Sequence, residues 1–433
     1  MDLLSNGEPA GTYPHSVYAA QNVTGPPLMA AKGAISADVC VIGGGYTGLS
    51  AALHLAQRGY RVTLLEAQRV GFGASGRNGG QVGAGQRLDQ TKLEKLVGRP
   101  AARHLFSLAI EAVDTVKSLA AAPQIDCPFH AGVLHPTHKA SLQQDEWAYA
   151  EMLQQDYGYA HISTLTKAEM RDLVRSRAYY GGTLDTASGH LDPLRFALGL
   201  ARLARAQGAT IYENSRVISV TDGPRPCIKT DSAVVTADHV ILACNGYLGD
   251  LNKHVAARVM PINNFIVATA PMSVSEQSQI IKNNYAVADS KFVINYFRFS
   301  DDHRLLFGGT ESYGYRFPRD IARMVRKPMV RLFPQLADVQ IDYAWGGSLG
   351  ITMNRMPHFE RLSGQVLSMS GSSGHGIAMA TLAGKLAAEA IAGQAERFDI
   401  LANVPTPKFP GGARWRNALL VLGMVWYSLR DRL

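Results

Sequence analysis

Cysteine is scarce in this sequence, with four residues in 433 (Cys40, Cys127, Cys227 and Cys244) and no CxxC pair among them. That spacing excludes a disulfide framework and a cysteine-built zinc centre, and it suits buried thiols in a reducing compartment, so a cytoplasmic location is expected. His130, His135 and His138 have no metal-ligand spacing, and no metal is expected. Ser75 and Ser373 lie in glycine loops without the G-x-S-x-G order of a hydrolase elbow. No block of five Lys or Arg occurs, and a net charge of +8 is mild at this length, which argues against nucleic acid as a partner. The opening MDLLSNGEPAG has neither a basic segment nor a long apolar one, so no secretory leader is expected. Long apolar runs are also missing. The stretch Ala418 to Tyr427 is too short to span a bilayer, although Arg416, Arg430 and Arg432 around it leave open a helix lying on a membrane surface. Repeats, low-complexity tracts and flexible linkers are lacking as well.

What is present is an ordinary globular composition, 46% hydrophobic and 18% charged, long enough for two cores. Its most informative stretch runs from Asp38 to Glu66. An apolar strand (Asp38 to Ile42) enters Gly43-x-Gly45-x-x-Gly48, an amphipathic helix follows, and a second apolar strand (Arg61 to Leu65) ends on Glu66. Gly43 permits the tight turn, Gly45 lets backbone amides approach a pyrophosphate, and Gly48 lets the helix pack closely on the sheet. Glu66 stands where a carboxylate accepts hydrogen bonds from an adenosine ribose. The unit is a dinucleotide-binding βαβ.

The chain returns to this sheet twice. A helix starting at Asp192-Pro193 leads to strands at Thr210 to Tyr212, Val217 to Val220, Val234 to Thr236 and His239 to Gly246. Near the end, Val366 to Gly393 repeats the order strand, glycine turn, helix, bringing a second helix N-terminus to a ligand. Between these returns, helical patterns from about Gln90 to Ala122 and Ala140 to Arg177 flank a short strand, GVLHPT. Segments FIVATA, FVINYFRF and RLLFGGT between Asn263 and Tyr343 suit an antiparallel sheet. The expected fold is therefore mixed α/β, with a Rossmann-like nucleotide domain interleaved with an antiparallel-sheet substrate domain. Its expected bounds are residues 36–104, 187–250 and 340–400 for the nucleotide domain and 105–186 and 251–339 for the substrate domain. Residues 1–35 form an N-terminal extension and 401–433 a C-terminal helical tail.

The run from Gly43 to Gly48 with Glu66, the loop GFGASGRNGGQ (Gly71 to Gln81), ACNG at Ala243 and GSSGHGIAMA at Gly371 together resemble the D-amino-acid oxidase superfamily of flavoproteins. Within it the likeness is to the γ-glutamylputrescine oxidase branch, carried also by SVYAAQN near Ser16, RLLFGGT at Arg304 and FPGGARWRNALLVLGMVWYSLRDRL at the C-terminus. The resemblance implies FAD, with contacts on Gly43, Gly45, Tyr46, Thr47, Gly48, Glu66 and Ala67. It further implies contacts on the second loop at Gly73, Ala74, Ser75, Arg77, Asn78, Gly79, Gly80 and Gln81, on Val217, Ala243 and Gly346, and on the turn Gly374, His375 and Gly376. The helix dipole at that last turn would stabilise negative charge at the N1/C2=O edge of the flavin. Relatives that attach flavin covalently use a late cysteine or a histidine near the second loop. No cysteine follows Cys244 and no histidine lies between His54 and His104, so FAD is expected to be non-covalent. Leu306 stands near the position of a sarcosine-oxidase-type lysine, which leaves oxygen or another electron acceptor open.

The implied chemistry is hydride transfer from an amine carbon to flavin N5, the imine then hydrolysing to a carbonyl compound and ammonia. The implied substrate is a small amine, γ-glutamylputrescine or another γ-glutamylated polyamine. A glycine-, sarcosine- or D-amino-acid-type oxidase and a non-catalytic flavin-binding subunit are the rival readings. Tyr296 and Trp345 are expected to wall an aromatic channel, His375 to take a chemical role at the flavin, and Arg298 to pair with a substrate carboxylate.

Overall fold

Val39, Cys40, Val41 and Ile42 are sealed from solvent, Val39 and Val41 in a core with Leu49 and Leu53 and Cys40 and Ile42 in one with Ile228, Leu248 and Val255, the signature of a strand covered on both faces. They end β1 (Gly33–Ile42), the centre of the first sheet in a computed structural model that describes residues 3–5, 9–22, 24–312, 314 and 316–411. Parallel to β1 run β2 (Val62–Leu65) on one side and β10 (Ala233–Leu242) on the other. Outside β2 lies β7 (Thr210–Tyr212), and outside β10 lies β17 (Val366–Ser370), both parallel. β16 (His358–Arg361) closes that edge in the antiparallel sense, and the hairpin β8 (Val217–Thr221) and β9 (Cys227–Thr230) hangs from β10. The two strands expected at Val234 and His239 are thus one continuous β10.

Two helices cover this sheet where β1 and β17 end. One spans Tyr46–Ala56 and the other Gly376–Ile391. They touch through backbone: a Cβ on Gly384 would fall 2.3 Å from the Thr47 carbonyl oxygen and 2.5 Å from the Ala51 nitrogen. Ser50 Oγ donates to the Thr381 carbonyl at 2.6 Å across the same contact. The glycine therefore sets the distance between the two helix starts that point at the expected ligand.

The second sheet has nine strands. Its order is β15 (Ile341–Ile351), β11 (Met260–Thr269), β14 (Leu305–Ser312), β13 (Tyr296–Phe299), β12 (Ala286–Ala288), β4 (His130–Pro136), β6 (Gly182–His190) and β3 (Gln81–Val82), with β5 (Ile162–Leu165) also on β6. The strands between Asn263 and Tyr343 pair antiparallel with one another as expected, and the one parallel pair among the described strands of this sheet joins β12 to β4. Phe297 stacks on Phe307 at 5.5 Å and meets Phe333 edge-on at 5.3 Å, an aromatic core under the helix Ile321–Leu332.

Three expected boundaries move. β15 lies inside the span assigned to the nucleotide domain, yet it pairs along its whole length with β11 of the second sheet. β3 pairs with β6, so Gln81 and Val82 also belong to the second sheet, and β6 continues past residue 187 to His190. The cause is the same in each case: the strand's partner lies far away in the chain, and nothing within the strand names it. The apolar stretch Ala418 to Tyr427 lies outside the described residues. Among those described, no helix is long and apolar enough to cross a membrane.

Candidate functional site

A cavity of about 630 Å³ opens where β1, β2 and β10 end, within the usual size of a small-molecule site. Gly43, Gly45, Glu66, Ala67, Gly73, Ala74, Ser75, Val217 and Ala243 line it. A smaller extension beside it adds Tyr46 and Thr47. Gly43 has φ +113°, and a Cβ there would sit 2.7 Å from the Ala243 carbonyl. A Cβ on Gly48 would fall 1.9 Å from the Gly43 carbonyl, so the first and third glycines interlock. The Tyr46–Ala56 helix begins on Gly45, which has no side chain to cap it; the Tyr46 amide donates to Ser75 Oγ at 3.1 Å, and the amides after it in the first turn are those a ligand would meet.

Glu66 is buried at the end of β2. Its carboxylate accepts from the Gly44 amide at 2.6 Å and the Gln68 amide at 2.8 Å. Burial pushes its pKa up to about 7 from an ordinary 4.5, these amides pull it down, and the Glu213 charge adds to the rise. A hydroxyl donor from a bound ribose would favour the charged form.

The second glycine loop is tied down on both faces. Arg77 donates Nε–H to the Phe72 carbonyl at 2.6 Å and reaches the Gly346 carbonyl at 3.2 Å, while its guanidinium lies 4.4 Å over the Phe72 ring. Asn78 donates to the Ala74 and Ser75 carbonyls and accepts from the Gly80 amide. Gln81 spends its amide on the Val287 carbonyl at 2.8 Å, linking the loop to the second sheet.

Two expectations are corrected here. Arg298 is buried and all its donor nitrogens are engaged: Nε with the Gly79 carbonyl at 2.6 Å, one terminal nitrogen with the Phe299 carbonyl at 3.0 Å, and the other with the Leu191 carbonyl at 3.0 Å and the Tyr18 hydroxyl at 3.2 Å. It clamps the glycine loop and is not presented to a substrate carboxylate. Trp345 is likewise a core residue, not a channel wall, packed among Tyr18, Leu194, Ile266 and Leu306. Its Nε1–H donates to the Arg77 carbonyl at 2.9 Å. Tyr296 is the intermediate case. Its hydroxyl donates to Asn264 Oδ1, and its ring lies against Gly79 and Gly308, where an added Cβ would come within 2.7 Å and 2.2 Å. Leu306, two positions along β14 from Gly308, is buried in the same core as Trp345.

The third glycine turn brings Gly374, His375 and Gly376 to the start of the Gly376–Ile391 helix, with His375 as its N-cap. Burial and the nearby Arg87 and His135 push the His375 pKa down to about 3, so its imidazole is neutral near pH 7. Arg87 lies over this turn, with its Nε 4.0 Å from where a Gly374 Cβ would be. Arg355 repels it and Asp89 and Glu311 attract it, and burial favours its neutral form.

Arg87 and Arg355 escaped sequence reasoning, as did the cavity-lining Leu3, Leu4, Asn245 and Tyr247. Asn245 had a signal: ACNG places an asparagine where the backbone turns to φ +47°, and its Oδ1 accepts from the Gly371 amide at 2.8 Å. The others had none, because each reaches the site through long-range packing. The residues present fit a dinucleotide, since Gly43, Gly44, Gly45 and Gly73 line the cavity beside the buried carboxylate of Glu66. The Ser370 hydroxyl, which lines the smaller extension, is buried without a protein partner.

Comparison with known proteins points the same way. Residues 38–390 match the family described as FAD dependent oxidoreductase. The chain is 44% identical over 407 residues to the probable oxidoreductase OrdL of Rhizobium meliloti, covering 94% of each. It is 40% identical over 425 residues to gamma-glutamylputrescine oxidoreductase of Escherichia coli, covering 96% of this chain and 98% of that one. In fold it is similar to glycine oxidase from Geobacillus kaustophilus, with a TM-score of 0.70 at 20% identity over 83% of this chain and 95% of that one. L-proline dehydrogenase from P. horikoshii gives a TM-score of 0.68 at 22% identity, covering 82% of this chain and 93% of that one. The two interleaved sheets, the three glycine turns and these likenesses lead to one conclusion: the chain belongs to the FAD dependent oxidoreductase family of the D-amino-acid oxidase fold and is an amine oxidoreductase.

Proposed function

We propose that this chain oxidises the amine of a γ-glutamylated polyamine, γ-glutamylputrescine foremost, with FAD held without a covalent bond. The 40% identity to the Escherichia coli gamma-glutamylputrescine oxidoreductase, almost end to end in both chains, supports this substrate class. Bound FAD supplies the hydride acceptor, and oxygen or another acceptor removes the electrons afterwards. Everything else falls to the protein. Glu66 and the first-turn amides of the Tyr46–Ala56 helix hold the ribose and diphosphate. Arg298, Trp345 and Gln81 fix the second glycine loop, and the positive end of the Gly376–Ile391 helix faces the flavin edge.

The single observation that carries the glutamyl reading is this nearly end-to-end likeness, and the charges that act on Arg87 beside Gly374 are in keeping with it. With Arg298 engaged in the core, Arg87 stands beside Gly374, repelled by Arg355 and attracted by Asp89 and Glu311. A glutamyl head carries one carboxylate and one ammonium. Such a head would relieve the repulsion of the arginines through its carboxylate and meet Glu311 through its ammonium. Tyr296, held by Asn264, then orders the aliphatic amine. The imine product hydrolyses to an aldehyde and ammonia in water. All cysteines are free thiols, in keeping with a cytoplasmic site of action.

The test is anaerobic mixing of the yellow protein with γ-glutamylputrescine, putrescine, sarcosine, glycine and a D-amino acid. Rapid bleaching by γ-glutamylputrescine alone is expected. Faster bleaching by sarcosine or glycine would replace this reading with a secondary-amine or amino-acid oxidase.

A further inference from the structure

The family match begins at residue 38, so the residues before β1 lie outside the matched span. They are nevertheless built into the cofactor site. Leu3 and Leu4 line the main cavity together with Arg216, Val217, Ile218 and Ala67, that is, at its β2 and β8 end. Gln68, two residues after Glu66, devotes its whole side chain to this segment. Its Nε2–H donates to the Leu4 carbonyl at 2.9 Å, and its Oε1 accepts the Gly11 amide at 2.5 Å.

The stitching continues along the chain. The Tyr13 hydroxyl donates to the Val70 carbonyl at 2.7 Å, and Arg69 lies 5.1 Å over the Tyr13 ring. Arg69 also donates to the Thr24 and Gly25 carbonyls, both at 3.1 Å, and Glu213 accepts from Arg69 and from the Leu28 amide. These anchors fall on residues 68–70 and 213, in the two loops that flank Glu66, while Tyr18, Asn22 and Ala31 are bonded to Arg298, Asp192 and Ser215. The Gln68 amide donates to Glu66 itself, so one residue joins the ribose-binding acid to the N-terminal segment.

We infer that Leu3 and Leu4, tethered through Gln68, form a wall of the adenosine subsite and set how long FAD stays bound. The chemistry is that of a purine: a flat ring whose faces are desolvated by apolar side chains, here Leu3 and Leu4, while its ribose is gripped by Glu66. This rests on the reading that the adenosine end of FAD lies at Glu66 and Val217. It implies that the segment acts on the adenosine half of the cofactor and not on the flavin half.

The experiment follows FAD release from the holoenzyme as recovery of flavin fluorescence after dilution. It compares the full chain with a variant lacking residues 2–8 and with the full-length variant Leu4→Asp. Release at least tenfold faster is expected in both, equivalent to about 1.4 kcal/mol. Apoprotein from each is also titrated with FAD and with riboflavin. The FAD affinity should fall by the same factor while the riboflavin affinity stays put. FAD release within twofold of the parent in Leu4→Asp would overturn the inference, as would equal loss of FAD and riboflavin affinity. Failure of the parent protein to bleach with any amine would instead strike at the proposed function and leave this measurement standing.

Discussion

Arg298 Nε lies 2.6 Å from the carbonyl oxygen of Gly79, joining the middle of the second sheet to the glycine loop that runs past the cofactor site. The same guanidinium satisfies the Leu191 and Phe299 carbonyls, so its charge is fully used inside the protein. Replacing it with Ala would leave three buried carbonyls short of a donor. At about 1 kcal/mol or more for each, a loss of roughly 3 kcal/mol follows. Arg298→Ala should therefore melt several degrees lower and retain less FAD, with no preferential loss for glutamylated over free diamines. A KM increase confined to glutamylated substrates, at unchanged stability, would show that the arginine reaches substrate after all.

The complementary variant is Arg87→Ala. It removes a half-buried cation beside Gly374 and relieves its repulsion with Arg355. Stability should hold or rise slightly, while KM for γ-glutamylputrescine rises at least tenfold and that for putrescine changes little. Steady-state kinetics with both amines decides this, and a parallel change in the two would remove Arg87 from the carboxylate site.

How far these two arginines could be told apart from sequence is instructive. Gly43, Gly45, Gly48 and Glu66 were legible because the duty of each is local: a turn, a close approach, an acid at the end of a strand. Asp192-Pro193 likewise announced its helix, with the Asp192 carboxylate accepting from the Arg195 amide at 2.9 Å. Arg298 and Trp345 were not legible in role, because a polar or aromatic residue on a strand reads alike whether it faces a ligand or a loop 200 residues away. The β15 strand was misassigned for the same reason. Its partner β11 lies far back in the chain, and nothing within β15 names that partner.

Titration gives a test of the buried acid. Glu66 has a folded pKa near 7 against an ordinary 4.5, so it binds a proton in the folded apoprotein that the unfolded chain has released. Its contribution is full below pH 4.5 and is lost as pH rises through 7. His54, held down to about 4, and His190 and His375, held down to about 3, act in the opposite direction. Their contribution is present above pH 6.5 and is lost as pH falls toward 3 to 4. At about 1.4 kcal/mol per pH unit for each group, three histidines outweigh one glutamate between pH 4.5 and 6.5. Apoprotein stability by urea denaturation should rise with pH across that window, and Glu66→Gln should steepen the rise. An unchanged slope in the variant would mean that Glu66 titrates normally.

Flavin attachment is settled by acid precipitation. Cys244 lines the main cavity, but burial pushes its thiol up to about 12 and its S–H points to the Ile42 carbonyl at 3.4 Å. A thiol held so firmly protonated is a poor nucleophile. All yellow colour should remain in the acid supernatant, and Cys244→Ala should behave identically. Colour in the pellet of the parent, abolished in that variant, would establish a thioether link.

The closest contact between the two ligand-facing helices supplies the last prediction. Gly384 lies where a methyl group would be 2.3 Å from the Thr47 carbonyl oxygen and 2.5 Å from the Ala51 nitrogen, both backbone atoms that no rotamer change can move. Gly384→Ala must therefore push the Gly376–Ile391 helix away from the Tyr46–Ala56 helix, shifting the two N-termini proposed to hold the cofactor. A cost of about 3 kcal/mol, at the upper end for overpacking, is expected, together with loss of bound FAD. Gly364→Ala, in the turn between β16 and β17, offers the control, since no atom lies within 4 Å of its added methyl group. Thermal melting and flavin absorbance of the two purified variants compare them directly. Equal behaviour would mean that the helix contact is loose enough to absorb a methyl group, and that the spacing of the two helix starts does not govern cofactor binding.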